Sequence, residues 1–290
     1  MRVSSSLGTA TANPRSAVVA SGLPALIDGT AVAPEEVVVS AVDPGVIRGD
    51  GVFEVVRLYD GVALATREHL ERLARSARAL ELEYDGSALE SETERLCSVL
   101  EGFDGYIRIV VTRLGTRLLI AEPPIEFPSR FRLLPVEHAV SPLTAGVKAL
   151  SYAANCRAKR IAEDSGCDDA LLYDSRRLVL ELPFASFGAV FEGTLAVPPL
   201  EGGILDSVTR RLLAASFDHL EVRELSIDEL QSADEACVLG TGMEVAPVSE
   251  IEGLRAFSED GPVVAAAAAT LTAAIRRRLG QETRFRGGEG

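Results

Sequence analysis

The sequence has few of the residues that bind metal ions or form disulfides. Its 290 residues include four cysteines, three histidines and no tryptophan. The cysteines form no CxxC pair and the histidines lack zinc-binding spacing, so we predict no metal site. Free thiols are typical of reducing compartments, and we therefore expect a cytoplasmic protein.

Positive charge and long apolar runs are also scarce. The formal net charge is -14, because 43 acidic residues outnumber 29 basic ones. Nucleic acids bind to basic surfaces, so this balance argues against nucleic acid as a partner. No apolar run approaches the ~20 residues that span a bilayer, so a membrane is not expected either. The Ala-rich stretch Val263–Ile275 is interpreted as a packed helix that starts at Pro262.

The length and composition suit a globular protein with two domains. Residues 1–24, rich in Ser, Ala, Thr and Gly, are predicted to be a flexible leader. Residues 25–136 combine strand patterns, such as Glu36–Val42, with Asp-Gly turns at 28–29 and 60–61 that predict two hairpins. Two helices are predicted at Arg67–Leu80 and Ser87–Leu100, so this part of the chain is predicted to be a small α+β domain. Residues 137–146 contain Pro, Ser, Thr and Gly and are the predicted linker, and residues 147–290 form the larger domain. The predicted fold class is α/β.

The chain contains only two lysines, Lys148 and Lys159. Lys159 falls within a predicted helix, where a solvated surface position is expected. Lys148 stands between Val147 and Ala149, and burial there would lower the pKa of its amine, as a Schiff-base nucleophile requires. The alternative is a lysine at a strand end that reaches water, and the local sequence alone favours this alternative.

Two segments could bind an anion. Residues 205–210 open a predicted helix, whose first N–H groups and dipole favour phosphate, although an ordinary helix cap has the same pattern. Residues 240–242 (Gly-Thr-Gly) follow a predicted strand and allow close backbone approach, although such turns are common. The sequence contains no P-loop, GxGxxG or GxSxG motif, and we expect the histidines to be structural.

The chain resembles the class IV aminotransferases, a family of pyridoxal-phosphate (PLP) enzymes, in short motifs that occur in the same order over about residues 25–255. Any single motif is weak, but the ordered set is specific. The motifs lie at residues 49–54 (GDGVFE), 68–73 (EHLERL), 147–152 (VKALSY), 181 (Glu), 203–205 (GIL), 208–210 (VTR), 234–235 (DE), 240–241 (GT), 247–248 (PV) and 251–253 (IEG).

The resemblance implies fold type IV, with a small α+β domain and a larger β-barrel-like α/β domain that binds PLP. It also implies a homodimer in which loops of one subunit complete the site of the other. Lys148 matches the lysine that forms the Schiff base with PLP and moves the substrate α-proton. Glu181 matches the carboxylate that pairs with the protonated ring nitrogen. The other implied cofactor-binding residues are Arg72, Val208, Thr209, Thr241 and Gly242 at the phosphate, Leu205 under the ring and Tyr152 at the phenolic oxygen.

The motifs determine the substrate less clearly than they determine the cofactor. Residues 49–59 resemble D-amino-acid transaminases, which favours transfer of an amino group between D-amino acids, such as D-alanine or D-glutamate, and a 2-oxo acid. The Arg-x-His carboxylate trap of those enzymes is incomplete here, because Arg117 is present without the histidine. Arg108, which resembles an arginine of the branched-chain enzymes, and Arg48 are the other candidate carboxylate partners. Phe53 completes the expected substrate-binding set.

Three alternatives to the D-amino-acid hypothesis stay open. Residues 148–155 and 179–181 resemble aminodeoxychorismate lyases, which use the same lysine to eliminate pyruvate. A branched-chain L-amino-acid or (R)-amine transaminase is the next alternative, and a PLP-binding homologue without activity is the last. The sequence also departs from the family, because Leu182–Ser186 replaces a run of small residues that ends in Asn and Ser207 replaces a frequent Gly.

Overall fold

The computed structural model describes residues 22–287, with side chains described through residue 282. Residues 1–21 of the predicted leader lie outside the described residues. Residues 22–24 precede the first strand without regular secondary structure. Within residues 22–287, no helix has the length and apolar character needed to cross a bilayer.

The first half of the chain forms a six-stranded antiparallel sheet, in the spatial order β2-β1-β6-β5-β3-β4 once its strands are numbered along the chain. The predicted hairpins around Asp28-Gly29 and Asp60-Gly61 are both present, as pairs β1–β2 and β3–β4. The strands are β1 (Ala25–Ile27), β2 (Thr30–Val32), β3 (Gly51–Tyr59), β4 (Val62–Ala63), β5 (Gly105–Thr112) and β6 (Arg117–Glu122).

Three helices accompany this sheet: α1 (Pro44–Arg48), α2 (Thr66–Ala79) and α3 (Gly86–Ser98). Because strand side chains alternate between faces, Val52 and Val56 of β3 pack into a core with Leu73 of α2 and Leu89 of α3. Phe53 lies on the opposite face of β3. One face of this sheet is therefore covered by helices and the other carries Phe53, so a charged residue has different neighbours on each face.

The second half forms an eight-stranded mixed sheet, in which seven strands follow the order β11-β10-β9-β12-β13-β7-β8 and β14 pairs with β13. Its strands are β7 (Phe131–Glu137), β8 (Asp169–Tyr173), β9 (Ser186–Phe191), β10 (Thr194–Val197), β11 (Leu220–Val222), β12 (Glu235–Gly240), β13 (Glu244–Ile251) and β14 (Arg255–Ala256). Its helices are α4 (Ala153–Asp164), α5 (Val208–Ala214) and α6 (Pro262–Gly287). Strands β7 and β8 are parallel, as a crossover through α4 requires.

Residues 178–182 bring the two edges of the second sheet together. Leu172 of β8 exchanges backbone hydrogen bonds with this segment, and Val179 N donates to Leu225 O at 2.7 Å, just beyond β11. Isolated bridges at Leu178 and Val179, rather than a regular strand, connect this segment to its neighbours. The curled sheet that results agrees with the expected β-barrel-like domain, and it positions Glu181 at the junction.

Two sequence-based expectations differ from the structure. Glu36–Val42 is not a strand: a short 3-10 helix at Pro34–Glu36 is followed by irregular backbone, and Val38 is 80% exposed. β-Propensity alone does not form a strand without a pairing partner. Strand β7 belongs to the second sheet, although its sequence falls within the predicted small domain, so the chain passes between the sheets at residues 123–130 rather than 137–146.

Candidate active site

Lys148 lies where the two halves of the structure meet. The backbone of residues 148–150 pairs with the start of β3, because Phe53 N donates to Lys148 O at 3.0 Å and Leu150 N donates to Gly51 O at 2.8 Å. Lys148 N in turn donates to Ser76 Oγ of α2 at 3.1 Å. These contacts fix the lysine backbone between the first sheet and the start of α4.

The Lys148 side chain is surrounded by aromatic rings. It is 9% exposed, and its Nζ atom lies 4.5 Å from the ring centroid of Phe53 and 5.6 Å from that of Tyr152. Burial lowers the pKa of the Lys148 amine to about 8, although the negative charge of Glu54 opposes this effect. About a tenth of the amine is therefore uncharged at pH 7, and this fraction can act as a nucleophile.

One cavity contains most of the predicted cofactor-binding side chains. It is formed by residues from α2, the Lys148 segment, the 178–182 segment, the start of α5 and the end of β12. The sequence-predicted residues that line it are Arg72, Lys148, Tyr152, Glu181, Leu205 and Thr241. Residues 182–186, the segment that departs from the family pattern, line the same cavity.

Glu181 has a carboxylate that pairs with no cation among the side chains that the structure describes. It accepts a hydrogen bond from Leu205 N, at 3.2 and 3.3 Å to its two oxygens. Burial raises the pKa of Glu181 to about 7. Among the side chains of residues 22–282, no cationic group forms a hydrogen bond or ion pair with this carboxylate. Such a group suits a ligand that brings its own positive charge, such as a protonated pyridine nitrogen.

Arg72 is held in place by Glu54, which was not among the predicted site residues. Nε and Nη2 of Arg72 donate to Glu54 at 2.6 and 2.8 Å, and His69 Nδ1 lies 2.9 Å from the same carboxylate. Burial disfavours the charged form of Glu54, but Arg72 and His69 outweigh burial and hold its pKa well below the usual range. Glu54 could have been identified from the sequence, because it is an acidic residue on the same face of an apolar strand as Val52 and Val56.

The start of α5 provides free backbone N–H groups. Ser207 Oγ accepts from Arg210 N at 3.2 Å, whereas the first amides of a helix have no intrahelical acceptor. Val208 and Thr209 line a smaller cavity that shares Gly240 and Thr241 with the cavity around Lys148. The helix start and the loop after β12 therefore face each other, as a phosphate cradle requires.

Gly242 is placed differently from the other predicted phosphate residues. It is not among the residues that line either cavity. A Cβ atom at Gly242 would lie 2.7 Å from the Phe127 ring and 2.8 Å from the Tyr106 hydroxyl. The absence of a side chain here allows the loop of residues 123–130 to pack closely, which is a structural reason for glycine.

The structure separates the three candidate carboxylate-binding arginines. Arg108 Cζ lies 5.9 Å from the centroid of the Phe53 ring, the ring that contacts the Lys148 amine. Arg117 pairs with Glu92 of α3 at 2.8 Å, on the helix-covered face of the first sheet. Arg48 is exposed at the end of α1. Arg108 is the candidate adjacent to the lysine, and Arg117 is directed away from it.

These groups fit PLP. The site offers a partly neutral buried amine, a carboxylate that no cation of residues 22–282 pairs with, and a guanidinium beside the first backbone amides of a helix. They match an aldehyde, a pyridinium nitrogen and a phosphate, respectively. The side chains that would hold the three parts of the cofactor lie along one cavity, and Tyr152 and Leu205 complete its wall.

Comparison with known proteins agrees with this assignment. The family model described as amino-transferase class IV matches residues 51–251. A protein of Methanocaldococcus jannaschii named "Putative branched-chain-amino-acid aminotransferase" is 33% identical over 255 residues, 78% of this chain and 87% of that protein. A D-alanine aminotransferase of Bacillus licheniformis is 27% identical over 250 residues, 79% of this chain and 88% of the relative.

Solved structures show the same architecture. The crystal structure of a branched-chain aminotransferase from Thermoproteus uzoniensis with norvaline superposes with a TM-score of 0.80 and 28% sequence identity. The superposition covers 91% of this chain and 97% of that one. Both sheets of the present structure therefore have counterparts in a related molecule.

Proposed function

The chain belongs to the class IV aminotransferases, and on this premise we propose that it transfers an amino group between apolar, branched-chain L-amino acids and a 2-oxo acid. It is a PLP-dependent enzyme with the mixed α/β fold of fold type IV transaminases. The observation that carries the substrate proposal is the position of Arg108 beside Phe53 and Lys148, while Arg117 pairs with Glu92 on the other face.

We propose the following roles for the residues around the cofactor. When bound, PLP supplies a ring that withdraws electrons from the substrate α-carbon. Lys148 Nζ would hold the cofactor covalently and would carry the α-proton, because its lowered pKa lets it both accept and release a proton. Glu181 would keep the ring nitrogen protonated. Arg72 and the amides of Val208 and Thr209 would bind the phosphate.

The substrate side of the site is aromatic. The rings of Phe53 and Tyr152 pack edge to face with centroids 5.1 Å apart, and Phe184 lies 5.7 Å from Tyr152. These rings would exclude water from the amine and contact an apolar substrate side chain. Arg108 is the proposed partner of the substrate carboxylate, because a guanidinium can donate two parallel hydrogen bonds to it.

D-amino acids are the second candidate substrates. This hypothesis is favoured by the resemblance of residues 49–59 and by the similarity to the D-alanine aminotransferase of Bacillus licheniformis. Its expected trap residue, Arg117, is engaged by Glu92, which is why we rank the D-amino-acid hypothesis second. Aminodeoxychorismate lyase activity is the third candidate, and release of pyruvate distinguishes it from transamination.

We further propose that the enzyme acts as a homodimer in the cytoplasm. Apolar side chains exposed on α1 and on the segment before Lys148 are consistent with a subunit contact. The four cysteines are free thiols, which is consistent with a reducing compartment.

The proposal is tested by mixing the PLP-bound protein with single amino acids and following the visible absorbance of the cofactor. We expect L-leucine to abolish the PLP band, with pyridoxamine phosphate as the product, and D-alanine to react much more slowly. Reaction with D-alanine alone would reverse this ranking. Release of pyruvate from aminodeoxychorismate, without reaction of any amino acid, would instead identify a lyase. The Lys148→Ala variant is the control and should lack the band.

A further inference from the structure

The loop between β12 and β13, which faces the start of α5, ends at a residue with an unusual backbone conformation. Residues 241–243 form a turn, and the pairing of Gly240 with Glu244 closes it. Glu244 has a φ angle of 56°, in the left-handed region that residues with a side chain rarely adopt. Such a conformation persists only where surrounding contacts hold it. The turn that presents Thr241 to the cavity therefore depends on what holds Glu244.

The Glu244 carboxylate is bound by side chains of two other elements. The Tyr59 hydroxyl, at the end of β3, donates to Glu244 Oε1 at 2.9 Å, and Thr272 Oγ1 of α6 donates to Glu244 Oε2 at 3.3 Å. Burial and the negative charge of Glu244 raise the pKa of Tyr59, so its hydroxyl keeps its proton and remains a donor. Each carboxylate oxygen has its own donor, and the turn is thereby connected to the first sheet and to α6.

Glu244 also lines the cavity at the start of α5. The same cavity is lined by Tyr59, Val208, Thr209 and Thr241. The charge of a carboxylate repels a phosphate, so Glu244 cannot favour phosphate binding by a direct contact. Any favourable contribution of Glu244 has to come from the position that it gives to the turn. The two possible effects of Glu244, repulsion and positioning, therefore have opposite signs and can be distinguished by experiment.

We propose that Glu244 is a positioning residue that holds the turn of residues 241–243 against the start of α5, and so strengthens binding of the cofactor phosphate. This inference rests on the proposed function, in which Arg72 and the first amides of α5 bind that phosphate. Without its two hydrogen bonds, Glu244 has no side-chain contact that offsets the cost of its left-handed backbone. The turn would then relax, and Thr241 would move away from the phosphate.

The test compares equilibrium binding of PLP and of pyridoxal, which lacks the phosphate, to the cofactor-free protein. Both aldehydes can form the same bond with Lys148, so the ratio of the pyridoxal Kd to the PLP Kd isolates the contribution of the phosphate. We expect Glu244→Ala to lower this ratio by about 10-fold, the range of one charge-assisted hydrogen bond. Tyr59→Phe should lower it by about 3-fold, because one donor remains. Glu244→Gln should keep the wild-type ratio, since its amide oxygen still accepts from Tyr59.

Two control variants separate this inference from the proposed function. Glu192 has a similar φ angle of 49° but lies in the hairpin between β9 and β10, outside both cavities, so Glu192→Ala should keep the wild-type ratio. Arg72→Ala should lower the ratio by direct loss of a cation.

The ratio also distinguishes positioning from the alternatives. A higher ratio in Glu244→Ala would mean that its carboxylate only repels the phosphate, and equal weakening of both cofactors would mean general destabilisation. Either result overturns the role of Glu244. If Glu244→Ala keeps the ratio while Arg72→Ala lowers it, only this inference fails. If neither variant changes the ratio, the phosphate site of the proposed function fails as well.

Discussion

Burial of the Lys148 amine determines the pH at which the protein can bind its cofactor covalently. The pKa of this amine is lowered from 10.5 to about 8, so the uncharged nucleophile predominates above pH 8. We predict that the rate of covalent PLP attachment to the cofactor-free protein rises about tenfold per pH unit below pH 8 and levels off above it. Stopped-flow absorbance of the visible band between pH 6 and 10 measures this profile.

The second lysine provides the control for this prediction. Lys159 lies in α4 and donates to Asp168 O at 2.9 Å, away from the cavity. The Lys159→Ala variant should show the wild-type profile, whereas Lys148→Ala should attach no PLP at any pH. A midpoint near pH 10, the value of an exposed lysine, would mean that the amine is not desolvated in solution.

The candidate cofactor-binding side chains lie together in the structure more completely than the candidate substrate-binding ones. Lys148, Arg72 and Glu181 belong to ordered motifs, and the structure brings all three to one cavity. The motifs did not predict which face of the sheet carries the Arg117 side chain, because that depends on the register of its strand. Arg117 pairs with Val111, whose side chain belongs to the helix-covered core. A shift of one residue in the register of β6 would have directed the Arg117 side chain to the other face of the sheet.

The contact between β3 and α2 depends on a buried ion pair. Glu54 is fully buried and binds both Arg72 and His69 of α2. We predict that Glu54→Ala lowers the free energy of unfolding by about 3–5 kcal/mol, because Arg72 would remain buried without a counter-charge. The variant should also bind PLP more weakly, since Arg72, the proposed phosphate-binding arginine, loses the carboxylate that holds it in place. Urea denaturation of the cofactor-free protein and PLP titration measure the two effects.

An exposed ion pair serves as the comparison. Arg177 binds Asp228 on the surface, where water screens the interaction. Asp228→Asn should therefore leave the unfolding transition close to that of the wild type. If Glu54→Ala also left the unfolding transition unchanged, the ion pair between β3 and α2 would not determine stability.

Helices and hairpins were predictable as elements because their signals are local. The apolar spacing predicted α2 within two residues at each end, and the Asp-Gly turns predicted both hairpins. The partners of each strand were not predictable. The apolar pattern of β7 would be the same in either sheet. Its pairing with β8 and β13 is what places it in the second sheet.

At the scale of the whole molecule, the active site exists because the chain returns to its first sheet. After β7 and before α4, Ala149 bridges to Val52, which brings Lys148 from the second half of the sequence to the side chains of β3 and α2. The ordered motifs indicated that distant segments share a ligand. They did not indicate that the lysine segment itself pairs with the first sheet, because such long-range pairing leaves no periodic signal.

The same region presents apolar side chains to solvent, which leads to a prediction about assembly. On α1, Val46 and Ile47 are 58% and 56% exposed, and the chain continues to Gly49, which packs against Ser151 next to the Lys148 segment. Exposed apolar surface beside the proposed catalytic lysine is expected to be covered by a second subunit. We predict a dimer of twice the 30.8 kDa chain mass in analytical ultracentrifugation.

A charge placed in this contact should separate the subunits, because the carboxylate would be buried without a partner. We therefore expect Ile47→Glu to sediment as a monomer at micromolar concentration and to lose transaminase activity in parallel. Val222 on β11 is equally exposed, at 56%, but lies at the edge of the second sheet. Val222→Glu should remain dimeric and active. A monomeric wild type, or an Ile47→Glu variant that stays dimeric, would show that α1 does not form the subunit contact and that each chain completes its own site.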